Sequence, residues 1–215
     1  MHYLTNLWNS LDFDSMKDLL LRLCAVFLCL TVHETCHGLA AYALGDPTAK
    51  RHHRLSLNPL RHIDWFGLAM MVMAGFGWAK PVPVNPNYFK NPKRGMALTA
   101  LAGPVSNFVL ALLLLLVVRL FWQPLNSGAG WMMFLVETAI LSIGLGVFNL
   151  IPIPPLDGSK VLFSLLPDRT YDLILRYERI GMLVLWALVF AGVGESVMDG
   201  AIYLVFDVFC RIVGF

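Results

Sequence analysis

Long apolar runs separated by short polar or Gly/Pro-rich intervals are the dominant pattern of this chain. Residues 19–44 are apolar almost throughout apart from Arg22, enough to cross a bilayer as a tilted helix, and Gly45-Asp46-Pro47 stops the run. Two more spans are expected at 96–122, built around Leu110 to Leu116, and at 131–150. The interval 123–130, with Pro124, Asn126 and Gly128, is short, which makes those two spans antiparallel neighbours. Apolar segments at 180–193 and 201–215 are short for full crossings. Residues 1–18 interleave Leu4, Leu7, Trp8, Leu11 and Phe13 with polar positions, the pattern of an amphipathic arm at the membrane interface.

Residues 65–84 break this regularity. Phe66 to Trp78 is apolar but too short for a span, and Gly67, Gly75 and Gly77 weaken it as a helix, so a re-entrant segment or short β-ribbon is expected. Irregular backbone at membrane depth must be covered by protein or line a water-filled cavity, which places this piece beside a site. Lys80 to Pro86 then reads as an extended, proline-rich run, and Asn149 to Gly158, with Pro152, Pro154 and Pro155, cannot be regular helix.

The composition agrees. The chain has 215 residues, 58% hydrophobic and only 14% charged, and its mean hydropathy is +0.67, beyond the range of ordinary soluble domains. The expected fold class is an α-helical integral membrane protein with about five apolar segments, forming one membrane-embedded domain over residues 1–215. A net charge of +2, with the basic residues in loops, excludes nucleic acid as a partner. The polar start of the chain carries Asp12, Asp14 and Asp18, so no cleavable signal peptide is expected. Cys24, Cys29, Cys36 and Cys210 lie in apolar stretches without C-x-x-C spacing, and packing rather than disulfide formation is their reading.

Orientation follows from basic residues near the span ends. Residues 45–95 carry eight Lys and Arg, residues 159–179 carry four, and 123–130 none, so both basic regions are expected on the cytoplasmic side. The first span then runs inward, and the multi-pass chain would hold its chemistry nearer the cytoplasm.

That chemistry lies in the first span. His33-Glu-Thr-Cys-His37 is an H-E-x-x-H pattern, in which two imidazoles four apart share one helix face and can hold one zinc ion. Glu34 points roughly 100° away from His33, so it serves better as an acid/base for a zinc-activated water than as a ligand. Insertion of one acidic side chain at a membrane-helix centre costs roughly 2.5–3.5 kcal/mol, which a bound metal worth on the order of 10 kcal/mol would offset. A tetrahedral site needs a third protein ligand. Near the apolar segments the acids are Asp46, Asp64, Glu137, Asp157, Glu195 and Asp199, and Asp157 is preferred because Pro154-Pro-Leu-Asp-Gly158 breaks the backbone at a span end. A turn carboxylate capping a helix near Ser159 is its alternative reading.

With these residues in place the chain resembles the site-2 protease family of intramembrane zinc metalloproteases, in particular its small prokaryotic members without a PDZ domain. The resemblance is carried by His33 to His37, Gly45 to Lys50, Leu57 to Leu60, Gly77 to Val84, Leu101 to Asn107 and Asn149 to Gly158, and runs from about residue 30 to 167. It implies one zinc per chain held by His33, His37 and Asp157, with Glu34 catalytic and the 149–158 loop supplying the third ligand. It further implies that Asn149 positions substrate or stabilises the oxyanion. The expected activity is hydrolysis of peptide bonds within or near transmembrane segments, with a membrane protein or peptide as substrate, the lipid bilayer as surroundings, and homo-oligomers compatible with it. Asn107, Gly75 and Lys80 are the expected substrate contacts, Leu68 to Val84 offering a strand edge to an unwound substrate. For Asn107, helix packing is the competing role.

The rival class is a membrane zinc transporter or sensor without protease activity, because intramembrane His and carboxylate also mark ion pathways. Thr35-Cys36 departs from the more usual Leu-Gly of relatives, and packing is the plain reading of Cys36 against thiolate competition for zinc. His52, His53 and His62, among Arg51, Arg54 and Arg61, are read as solvated or in contact with lipid headgroups. Gly103 and Ser106 are read as permitting close helix packing.

Overall fold

The computed structural model describes residues 16–74, 78–122, 130–167, 171 and 177–215. Its elements, in chain order, are α1 (Met16–Ala43), α2 (Thr48–Arg51), α3 (Trp65–Ala74), α4 (Pro92–Phe121), α5 (Gly130–Asn149), α6 (Asp157–Phe163), α7 (Glu178–Phe190) and α8 (Glu195–Val213), with short 3-10 turns at Pro59–Arg61 and Pro86–Tyr88. No strand occurs among the described residues.

Among the described residues, three helices are long and apolar enough to cross a membrane: Leu19–Ala43 within α1, Pro92–Phe121 and Gly130–Asn149. They match the three spans expected from hydropathy to within a few residues. Their ends have local causes. Gly45, at φ +104°, turns the chain out of α1 while the amide of Asp46 returns to Ala41 O at 2.9 Å, a conformation that glycine adopts without steric cost. At the start of α4, the Asn91 side chain accepts the Arg94 amide at 3.1 Å and Pro92 fills the first position, where its missing N–H costs nothing.

α4 is the central helix, packed against both α1 and α5. Ala111 and Leu115 of α4, Ala139 and Ile143 of α5 and Ile202 of α8 form the buried core. Alanines at such crossings let the backbones approach, which suits helices that meet in an apolar solvent. Gly146 of α5 works the same way, since a Cβ there would come 2.8 Å from the Phe108 ring.

The segment expected as a re-entrant piece or ribbon is helical over Trp65–Ala74, which removes the ribbon reading for that part. Two contacts account for the helix. Asp64 Oδ1 accepts the amides of Phe66 at 3.0 Å and Gly67 at 2.9 Å, capping α3. Gly67 does not weaken the helix so much as let it lie against the Trp78 backbone, into which a Cβ would collide. Beyond it, an isolated antiparallel bridge joins Ile63 and Ala79, and Lys80 donates its amide to His62 O at 2.9 Å. Gly75 and Gly77, and nearly all of the amphipathic arm 1–18, lie outside the described residues.

Candidate metal centre

His33 and His37 come from the middle of α1, and Asp157 is the first residue of α6. His33 Nε2 and His37 Nε2 each lie 3.1 Å from Asp157 Oδ2. The two imidazoles pack edge to face with centroids 4.5 Å apart. All three side chains are buried, and their ligand atoms lie within 4.8 Å of one another.

The route by which Asp157 reaches this point is written in Gly158. A Cβ at 158 would collide with Leu150 O and lie 2.8 Å from Ile151 O, so only glycine lets the proline-rich loop fold back on the end of α5. Burial opposes ionisation of Asp157. Hydrogen bonds with His33 and His37, and Lys160 Nζ at 3.8 Å, hold its carboxyl well below the usual carboxylate range, so it is an anion at neutral pH.

α4 provides the wall behind the histidines, in register with them. His37 Nδ1 donates to Thr99 O at 2.7 Å, and His33 Nδ1 lies 3.0 Å from Asn107 Nδ2. Gly103 sits between these two positions: a Cβ there would lie 2.5 Å from His37 Nε2 and 2.6 Å from His33 Cε1. Thr99, Gly103 and Asn107 thus repeat the four-residue spacing of His33 and His37 on the facing helix. Two imidazole nitrogens and one carboxylate oxygen are a donor set suited to zinc with one position left open. The space cleared by Gly103, with Nδ1 of His37 tied to a carbonyl so that Nε2 faces the cluster, fits such an ion.

Glu34 is outside the ligand group. Its Oε2 accepts the Val82 amide at 2.9 Å, which fixes it against the run 80–86. That run is itself held at both ends: Arg54 donates to Lys80 O at 2.7 Å and Pro81 O at 3.1 Å, and Asn85 donates its amide to Asp46 Oδ2 at 2.7 Å. Asp46 is completely buried, and its Oδ1 accepts the Thr48 amide at 2.9 Å and the Thr48 hydroxyl.

Other expected site residues fall differently. Lys80 is exposed beside Arg54. Asn149 is half-buried and donates Nδ2 to Leu145 O at 2.9 Å, one turn back in its own helix. Asn107 is fully buried, so its position is behind His33 and offers no surface for the expected substrate contact. His52 and His53 are exposed as expected, whereas His62 is buried with Nε2 2.8 Å from Ser56 O; it closes the 56–62 loop and does not meet solvent. Cys36 is not among the grouped ligands, and all four cysteines are free. Sequence reasoning missed Thr99, which acts through its carbonyl, and the amide of Val82. The matching spacing of residues 99, 103 and 107 was the available signal.

A buried His-His-carboxylate group beside an independent glutamate, set among membrane-length helices, defines a membrane metallohydrolase. Comparison with known proteins agrees. The sequence pattern of peptidase family M50 matches residues 123–192. A Bacillus subtilis protein named "Putative zinc metalloprotease YwhC" is 38% identical over 173 residues, covering 78% of this chain and 79% of that protein. A Mycobacterium tuberculosis H37Rv protein named "Putative zinc metalloprotease Rip2" is 32% identical over 192 residues, covering 85% of this chain and 70% of that protein, and a Mycolicibacterium smegmatis protein of the same name is 30% identical over 187 residues, covering 83% and 70%. No solved structure matches the chain. The chain belongs to peptidase family M50, the site-2 protease family, and is a zinc metalloprotease.

Proposed function

We propose that this protein is an intramembrane zinc endopeptidase that hydrolyses peptide bonds within or near transmembrane segments of membrane proteins. The observation that carries this reading is the placement of Glu34 beside His33, His37 and Asp157 on a helix of membrane-spanning length. His33, His37 and Asp157 would hold zinc. Once bound, zinc supplies a Lewis acid that polarises a carbonyl and lowers the pKa of water toward about 7.

The chain's own residues supply the proton handling and the positioning. Glu34 takes the proton of the attacking water and passes it to the departing amine as the C–N bond breaks, leaving a carboxylate and an amine. The Val82 amide holds Glu34 in place for both transfers. Asn149 stabilises charge on the substrate carbonyl with the Nδ2 hydrogen that it does not give to Leu145 O. A membrane helix shields its own carbonyls, so the substrate unwinds; the run 78–84 beyond α3, with Lys80, receives it in extended form.

The wider arrangement follows the same reading. The chain forms one domain in which α7 and α8 add to the three long helices to give about five apolar segments, and residues 65–84 enter the membrane beside the site. The protein sits in a prokaryotic plasma membrane with its centre nearer the cytoplasmic side, where the basic loops lie. Its partners are membrane-protein or membrane-peptide substrates and lipid, with no nucleic acid, and homo-oligomers are compatible with this surface.

The test is cleavage of a transmembrane substrate in proteoliposomes by the wild type and by Glu34→Gln. Cleavage should fall by about 10²–10⁴-fold with zinc content unchanged. Retained cleavage by the Gln variant would refute the acid/base role, and cleavage confined to soluble peptides would remove the intramembrane one.

A further inference from the structure

We infer that Asn107 is the residue that sets the tautomer of His33, presenting its side-chain carbonyl to the imidazole Nδ1 when zinc is bound. The inference rests on the reading of His33 as a ligand. Asn107 has no exposed surface, and one end of its carboxamide lies 3.0 Å from His33 Nδ1. In the structure that end is Nδ2, with His33 Nε2 3.1 Å from the Asp157 carboxylate, an arrangement in which Nε2 carries the proton and donates to Asp157. Asn107 Oδ1 is then buried with no hydrogen-bond partner among the described residues.

A metal ion needs the Nε2 lone pair, so the proton must move to Nδ1, and Nδ1 must then find an acceptor. His37 already has one in Thr99 O. Among the described residues His33 Nδ1 has Asn107 as its partner, whose unused acceptor is Oδ1. The two ends of a carboxamide are nearly alike in size, so turning it over exchanges donor for acceptor without displacing its neighbours. The Asn107 backbone is pinned meanwhile, its carbonyl accepting the Ser142 hydroxyl at 2.8 Å inside the bundle. Asn107 is therefore a positioning residue for the metal ligand. An aspartate there, which only accepts, can do the same task, whereas a leucine of similar volume cannot.

The experiment measures zinc affinity by chelator competition on purified full-length protein in detergent, for wild type, Asn107→Asp, Asn107→Leu and His33→Ala. Asn107→Leu should bind zinc about 10–100-fold more weakly and Asn107→Asp should match or exceed wild type, with a cooperative metal-free melt showing that each variant is folded. Should the Leu variant not fold, Asn107→Ala takes its place. Wild-type affinity in the Leu or Ala variant overturns the inference. So does an equal loss in Asn107→Asp, because donation to His33 would then be what matters. If His33→Ala binds zinc as wild type does, the ligand reading falls and this inference with it; if His33→Ala loses zinc while Asn107→Leu keeps it, only the inference falls.

Discussion

Val82 donates its backbone N–H to Glu34 Oε2 at 2.9 Å, and this bond joins the proposed acid/base to a run of chain 48 residues further on. A hydrogen bond to a charged group is worth about 1.5–3 kcal/mol. If it aims Glu34, losing it slows the proton transfers and leaves metal binding alone. Val82→Pro removes the donor and suits a position between Pro81 and Pro83. The expected result is a fall in kcat of roughly 10–100-fold with zinc stoichiometry unchanged, read by cleavage assay and metal analysis. Unaltered kcat would show that Glu34 needs no such anchor.

Gly103 controls whether the ligand pair can exist at all. A methyl group there would press on both imidazoles, at 2.5 Å from His37 Nε2 and 2.6 Å from His33 Cε1, and neither ring can retreat far, because Asn107 and Thr99 hold their Nδ1 atoms. Gly103→Ala is expected to lose zinc as well as activity, while Ala is the better helix former and spares the rest of α4. Zinc content of the purified variant decides it; a fully loaded Gly103→Ala protein would show that the helices can part.

The sequence carried most of this centre and less of what surrounds it. His33, Glu34 and His37 were legible because three polar residues in an apolar run need a reason, and Asp157 because a broken, proline-rich backbone brings a carboxylate to a span end. The three long helices were legible from run length alone. Trp65–Ala74 is a helix and not a ribbon, although Gly67 counts against a helix by propensity, because tertiary contact with Trp78 requires glycine here. The burial of His62 depends on how separate segments meet, which no local pattern encodes, and the place of Asn107 behind His33 showed only as a spacing on α4 that matches the two histidines.

The close approach of Gly67 to the Trp78 backbone has a direct thermal consequence. Gly67→Ala drives a methyl into the Trp78 backbone, and such overpacking costs about 1–3 kcal/mol. Gly200 is the control: it lies in α8 with nothing near its Cβ direction, so Gly200→Ala should gain about 0.5–1 kcal/mol through helix propensity. Thermal unfolding of the two variants in the same detergent should therefore move in opposite directions. A Gly67→Ala protein as stable as wild type would mean that α3 is free to shift.

Asp46 couples stability to catalysis from outside the metal group. It is completely buried, with Oδ2 accepting the Asn85 amide at 2.7 Å and Oδ1 the Thr48 amide at 2.9 Å. Asp46→Ala strands both amides, at about 1–3 kcal/mol for each donor left unsatisfied. Asp46→Asn can still face Thr48 with its oxygen, but it turns an NH₂ group toward the Asn85 amide, donor against donor. Both variants should melt lower than wild type. Because Asn85 is three residues from Val82, both should also cleave more slowly as the run 80–86 loosens around Glu34. Zinc content should remain full, since Asp46 touches none of His33, His37 or Asp157 among its hydrogen bonds. Loss of zinc together with activity in Asp46→Asn would place Asp46 in support of the metal ligands and not of the substrate-facing run.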